Sequence, residues 1–394
     1  MLPVVLVGFA LSVLSGLAVG RPAVGQGKPL VARPAQQKAP AKPATSDAKQ
    51  LEDLAELLAP IRKSNDMPAL GAAVIVDGKL VALGVDGIRK VGDETKVTTA
   101  DLWHLGSCTK AMTATLLAKQ VAAGKLKWHT TLGEALPDLR DGMHDDARQI
   151  TIASLLQHRS GLPSQPPMAQ WLELFKFAGT DTEARREVAA TMLKKAPEAA
   201  RGERFLYSNA GYMIAGAALE RAAGKSWQQL MTAELFTPLG MDRASFGVPG
   251  RDKHVDQPWG HVKAARGSQP MFADNPSSLG PAGTVHATLE DWAKFVALHL
   301  GVAPKQGKPL LDAPLLANLH QPPKGADYAL GWVTTKRGWA PGPIIWHNGS
   351  NTMWYAVTWM APDAKFAVLV VCNHGSGAKA CNEASAACIQ RFRR

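Results

Sequence analysis

The sequence predicts an α/β (α+β) protein: an antiparallel sheet built from the N- and C-terminal segments, flanked by helices, with a mainly helical region inserted between them. Near the start, ALGAAVIVDGKLVALGVDG holds two apolar runs around Asp77-Gly78, a strong two-residue hairpin signal. After Ala329 the runs LGWVTT, PIIWHNG, WYAVTWMAP and FAVLVVCN follow one another with turn residues between them, as in an antiparallel meander. Between these two strand-rich ends the apolar residues recur at helical spacing. No repeat of 20–50 residues interrupts this plan.

Taken in order, residues 2–20 are uncharged and end in Ala18-Val19-Gly20, as an export h-region does, although no Lys or Arg follows Met1. Nineteen uncharged, mostly apolar residues also suffice to span a bilayer as an uncleaved anchor, so residues 1–20 are read as signal peptide or membrane anchor. Either reading places the protein outside the cytoplasm: periplasmic, secreted or tethered. Residues 21–50, rich in Ala, Pro and Lys, form a linker without apolar period. The domain proper spans 51–394, with a sheet part at 51–105 and 290–394 and a helical part at 106–289. Leu51, Leu54, Leu57, Leu58 and Ile61 share one helical face. A helix from Ser107 to Ala123 stops at Gly124, and Thr151 caps the one carrying Leu155 and Leu156. Further helices are expected at 183–195, 209–223, 226–236 and 289–300, with a closing helix over 380–393.

The formal charge of +11 suggests nucleic acid until it is located. Residues 21–50 carry +5 of it and Arg391, Arg393 and Arg394 another +3, which leaves +3 on the body. A basic tail on a nearly neutral body argues for a surface-seeking leader rather than a phosphate-reading domain. The four cysteines, Cys108, Cys372, Cys381 and Cys388, have no zinc-like Cys/His spacing. In an oxidising compartment Cys372 has Cys381 and Cys388 as disulfide partners, and the sequence does not choose between them. His144-Asp145-Asp146 reads as a solvated turn rather than a metal pair, and His158 as a residue holding a turn. No metal or organic cofactor is expected.

The chemistry starts from GSCTK at 106–110. Ser-x-x-Lys occurs three times, as Ser46/Lys49, Ser107/Lys110 and Ser376/Lys379. Ser46 lies in the linker and Ser376 between two glycines, whereas Ser107 follows the apolar Leu102, Trp103 and Leu105 and opens a predicted helix. A helix N-terminus offers unpaired N–H groups and partial positive charge to an oxyanion. Position i+3 lies over the same face, so Lys110 reaches the Ser107 hydroxyl. A plain N-cap serine beside a solvated lysine fits the same spacing. Cys108, with no histidine beside it, reads as packing.

GSCTK, FLYSNAGY at 205–212 and WHNGSN at 346–351, in that order, resemble the three motifs of the serine beta-lactamase-like hydrolase superfamily. This superfamily includes class C beta-lactamases, penicillin-binding proteins, related esterases and D-amino-acid peptidases. SLLQHRSGLP at 154–163, TPLGMDRASFG at 237–247 and SLGPAGTVHATLEDWAKF at 278–295 resemble further segments of its class C-like branch. The likeness runs from about residue 52 to 390. It implies a beta-lactamase/transpeptidase-like fold and acyl transfer through a serine ester. Ser107 would attack, and Lys110 and Tyr207 would move the proton, with the base left open between them. Asn209 would orient Lys110, and the backbone N–H groups of Ser107 and Ser350 would bind the oxyanion beside Gly349.

The third motif departs from the family pattern. His347 stands where lysine usually binds a substrate carboxylate, and a histidine supplies no fixed positive charge at neutral pH. This favours an esterase or D-amino-acid peptidase over a dedicated beta-lactamase. The partners implied are a small ester, peptide or beta-lactam and, by extension, peptidoglycan. Trp339, Trp346 and Trp354 are read either as an acyl pocket or as sheet packing. The reading from another class is a non-catalytic cell-wall-binding module with a decayed site.

Overall fold

The computed structural model describes residues 51–265, 267–302 and 308–393. The leader, the linker and the Ser46/Lys49 pair lie outside the described residues. Residues 51–394 are assigned to a single unit. Its main sheet has six antiparallel strands in the order β2-β1-β11-β10-β9-β8: β1 Ala69–Val76, β2 Lys79–Gly87, β8 Val333–Thr335, β9 Ile344–Ser350, β10 Tyr355–Ala361 and β11 Phe366–Cys372. The β1–β2 turn puts Asp77 at φ 50° and Gly78 at φ 72°, the two left-handed residues that an Asp-Gly hairpin supplies. β1 then pairs with β11 from Leu70↔Cys372 to Ile75↔Ala367, which joins the two ends of the domain in one sheet.

Both faces of the sheet are covered, and β11 is therefore buried along its whole length. On one face the Ala55–Ser64 and Ala378–Phe392 helices pack Leu54, Leu58, Cys381, Ala384 and Cys388 against Leu70, Val74, Val368 and Val370. The other face carries the larger core, which includes Ala73, Leu369 and Val371 and continues into the helical region. At its centre runs the Thr109–Ala122 helix, with 11 buried residues including Lys110.

Several boundaries move for local reasons. The helix expected at 183–195 runs from Asp181 to Met192 because Thr180 and Glu183 form a capping box at its start. The 226–236 helix is α only over Trp227–Met231 and widens to π over Thr232–Phe236. LGWVTT shrinks to Val333–Thr335, since Gly331 sits at φ 82° where a side chain would strike the backbone of Ala111. The closing helix covers Ala378–Phe392. The region read as mainly helical also holds short strands: β4 Ser245–Phe246, β5 Gly260–Ala264, β6 Gly267–Met271 and β7 Val285–Ala287. With β3 Trp103–His104 these form sheets β3-β7-β4 and β5-β6. All four cysteines are buried free thiols.

Candidate active site

The Ser107 turn departs from the expected helix start. Gly106–Cys108 forms one 3-10 turn, and the α-helix begins at Thr109. Ser107 makes no side-chain cap, so the N-cap reading is set aside. One turn on, the Lys110 Nζ lies 3.0 Å from Ser107 Oγ, 2.7 Å from Asn209 Oδ1 and 2.7 Å from the Ala282 carbonyl oxygen. Lys110 is fully buried, and no ion pair involves it among the described residues. Burial holds its pKa well below the ordinary lysine range, because an ammonium there has lost its water. A neutral amine has two hydrogens and one lone pair. With both hydrogens given to Asn209 and Ala282, a neutral amine would turn its lone pair to Ser107, whereas an ammonium would donate to all three.

Two neighbouring elements deliver those acceptors. Asn209 opens the Asn209–Ala223 helix, whose N-cap Ser208 accepts from Gly211 N at 2.8 Å. The Asn209 and Ala210 N–H groups both donate to the Ser164 carbonyl. Ala282 belongs to a strap that runs beside the Thr109–Ala122 helix. Thr113 Oγ1 donates to the Pro281 carbonyl at 2.8 Å, and Val285 N donates to Thr109 Oγ1 at 3.1 Å.

The Tyr207 ring centre is 4.9 Å from Lys110 Nζ, which places this aromatic ring against the amine that faces Ser107. Burial pushes the phenol pKa up, so Tyr207 is uncharged. Its position is set by His158, whose reading as a turn residue extends here to a specific target. The His158 carbonyl accepts from Leu206 N at 2.8 Å, and its Nδ1 accepts from Ser208 N at 3.0 Å. Both backbone neighbours of Tyr207 are thus tied to one residue, whose ring also lies 4.1 Å from the Tyr207 ring. Tyr212 and Tyr328 complete the cluster at 5.2 and 4.6 Å from His158. Sequence reasoning passed over Tyr328, which carries no motif of its own.

From the far side β9 presses against the Ser107 turn. A Cβ on Gly349 would stand 2.5 Å from Ser107 N and closer still to the Leu105 carbonyl; one on Gly106 would strike Ser350 N. Glycine at both positions is what lets the two backbones touch. His347, on the same strand, is buried and has both ring nitrogens engaged. Nε2 is 2.8 Å from the Tyr328 hydroxyl and Nδ1 is 2.5 Å from the Asn348 carbonyl. A carbonyl accepts only, so Nδ1 bears the proton and Tyr328 donates to Nε2. Burial lowers the His347 pKa to about 3.

A family model described as Beta-lactamase matches residues 54–387. The chain belongs to the beta-lactamase family. Penicillin-binding protein 4 of Amycolatopsis lactamdurans is 29% identical over 330 residues, covering 80% of this chain and 83% of that protein. Unguisins hydrolase ungD' of Aspergillus campestris is 25% identical over 339 residues, covering 82% of this chain and 61% of that protein's length. The beta-lactamase/D-alanine carboxypeptidase of Pseudomonas syringae superposes with a TM-score of 0.71 at 18% identity, covering 86% of this chain and 98% of its own. The octameric penicillin-binding protein homologue of Pyrococcus abyssi gives 0.69 at 22% identity, covering 86% of this chain and 76% of its own. At these identities the solved structures speak for the fold, which is that of the serine beta-lactamase and penicillin-binding protein hydrolases.

Within this beta-lactamase family member, the other sequence candidates stand apart. Ser376 lies after β11, and Lys379 turns outward to Glu383 at 3.6 Å. Cys108 is buried, which raises its pKa, and its Sγ lies 3.7 Å from the His347 carbonyl. The tryptophans take the packing alternative: Trp339 meets Phe366, Trp346 stacks on Trp359 at 4.8 Å, and Trp354 meets Trp103 edge-on at 6.3 Å. Among the described residues no group of three or more His, Cys, Asp or Glu side chains is placed to hold a metal ion.

Proposed function

We propose that the chain is a serine hydrolase that cleaves esters or amides through an acyl-enzyme on Ser107. The observation that carries this is the buried Lys110 amine, fixed by two acceptors with its remaining valence toward Ser107 Oγ. A binding module gains nothing from holding an unpaired lysine out of water, whereas a general base requires it.

In the first step Lys110 takes the hydroxyl proton as Oγ bonds to the substrate carbonyl carbon. The carbonyl π pair moves onto oxygen, where the Ser107 and Ser350 N–H groups would receive it. Collapse of the adduct expels the alcohol or amine. Tyr207, a neutral phenol whose ring lies against Lys110, would hand that group its proton and regain one from Lys110. Water then attacks the ester, its proton passing to Lys110, and the acid leaves as Oγ recovers hydrogen. Asn209 and Ala282 hold the amine in place throughout.

His347 bears on substrate choice. It is neutral, and both its nitrogens are spent inside the protein, so it offers no cation to a substrate carboxylate. This supports neutral esters, or D-amino peptides that present no free carboxylate at this position, over carboxylate-bearing lactams. The relatives named as a hydrolase and a D-alanine carboxypeptidase support the hydrolytic part. Export through residues 2–20 would place the enzyme beside peptidoglycan and extracellular esters.

A fluorophosphonate probe and a labelled penicillin test the reading. Labelling of the wild type that disappears in Ser107→Ala is the expected result. Folded wild-type protein that neither probe labels would instead favour the binding module with a decayed site. Turnover of a panel of short-chain esters, D-amino peptides and chromogenic cephalosporins then ranks the substrate classes.

A further inference from the structure

The hydrolase reading leaves unexplained a buried carboxylate outside the three motifs. Asp274 follows β6, with its side chain 7% exposed. Its Oδ2 lies 2.8 Å from His104 Nε2. Its Oδ1 accepts from Asn351 Nδ2 at 3.0 Å and from Asn275 N at 2.7 Å. His104 Nδ1 in turn accepts from Gly106 N at 3.1 Å. An imidazole nitrogen that accepts from an amide carries no proton, so His104 is neutral and donates through Nε2 to Asp274.

The two arms of this carboxylate end on the two backbones that meet at the proposed oxyanion site. One arm, through His104, fixes the Gly106 peptide immediately before Ser107. The other, through Asn351, fixes the residue immediately after Ser350. The ladder bonds hold each backbone only as far as the edge of this gap: Leu105 N donates to the Val285 carbonyl at 2.9 Å, and β9 pairs with β10 up to Ser350↔Tyr355 before a turn with Thr352 at φ 76°. Asn351 also accepts from Met353 N at 3.2 Å, so its amide is locked at both ends.

Resting on the hydrolase reading, we infer that Asp274 is a positioning residue which, through His104 and Asn351, sets the gap between the Ser107 and Ser350 N–H groups. A hydrogen-bond donor placed a fraction of an ångström off loses most of its hold on a developing oxyanion, while ground-state binding hardly changes. The signature is therefore a fall in kcat with little change in KM.

Asp274→Asn is the decisive variant, because its amide turns a second donor toward either His104 or Asn351. With a p-nitrophenyl ester as substrate, kcat should fall about 100-fold while KM stays within about threefold. Asn351→Ala should cost kcat about tenfold in the wild type and little more in the Asp274→Asn background, since both act through one carboxylate. A folded Asp274→Asn enzyme, checked by thermal melting, that keeps kcat within about threefold or loses only in KM overturns the inference. Where Asp274→Asn fails to fold, Asn351→Ala alone decides: an unchanged kcat refutes the clamp, and a selective loss supports it. Fluorophosphonate labelling of wild-type Ser107 separates the two claims. An unlabelled wild type removes the hydrolase reading and this inference with it, whereas a labelled, active wild type with insensitive variants removes the inference alone.

Discussion

Lys110 concentrates the chemistry in one atom. Its folded pKa is depressed, so between that value and about 10.4 the unfolded chain carries a proton that the folded chain lacks. The sign follows: its contribution to stability is fully present above about 10.4 and is lost as pH falls through this window to the folded pKa. Activity has the same direction, since a protonated Lys110 cannot take the proton from Ser107. The pH profile of kcat/KM should therefore show an acid limb that belongs to an amine titrating below the ordinary lysine range. Lys110→Arg, protonated at every accessible pH, should lower kcat at least about 1,000-fold with that limb abolished. Near-normal turnover by the Lys110→Arg enzyme would move the base elsewhere. Ser107, Lys110, Tyr207 and Asn209 were legible in the sequence because each is a side chain of defined chemistry in a short motif. The Ala282 carbonyl was not, because a backbone oxygen has no residue identity to read. Asp274 and His104 were not, because 170 residues separate them.

Among the elements, β9 and the Ser107 turn depend on each other through glycine. The strand PIIWHNG at 343–349 was readable from its apolar run, but its closeness to Gly106 is a tertiary fact with no local signature. The same holds for β3, β4 and β7, which are two or three residues long and too short to show any period. The hairpin and the meander were readable because each carries its own punctuation, Asp77-Gly78 and the turn residues between strands; the helix expected at 209–223 has a Ser208 cap that the sequence reading did not use. Gly349→Ala tests the β9 contact. A methyl group there meets the Leu105 carbonyl and the Ser107 amide, so the strand and the turn must separate. We expect kcat to fall by about 100-fold or more, measured with a chromogenic ester, and the melting temperature to fall by only a few degrees. A variant that keeps full turnover would show that the two backbones need not touch for catalysis.

For the molecule as a whole, the sheet closes only when residues 69–76 meet residues 366–372, so its two ends fold as one unit. The composition and the order of elements announced such a sheet, and the buried Arg185–Glu220 pair shows what they left out. Arg185 reaches Glu220 and the Ser278 carbonyl, and Glu220 accepts from Trp227 N, which ties the helical region together across distant segments. Cysteine pairing was likewise open in the sequence, and the fold answers it with buried thiols: Cys372 on β11, Cys381 and Cys388 on the closing helix, and Cys108 beside Ser107. Burial raises the pKa of Cys108, Cys381 and Cys388, the last to about 12, so little of any of them is the reactive thiolate at neutral pH. An aromatic disulfide reagent should accordingly modify none of the four in the native protein and all four in urea, at a rate that follows unfolding. Fewer than four thiols in urea without reductant would reveal a bridge, with Cys372 and Cys381 the first pair to examine. Rapid modification of Cys372, Cys381 or Cys388 in the native state would mean that the closing helix does not seal the sheet.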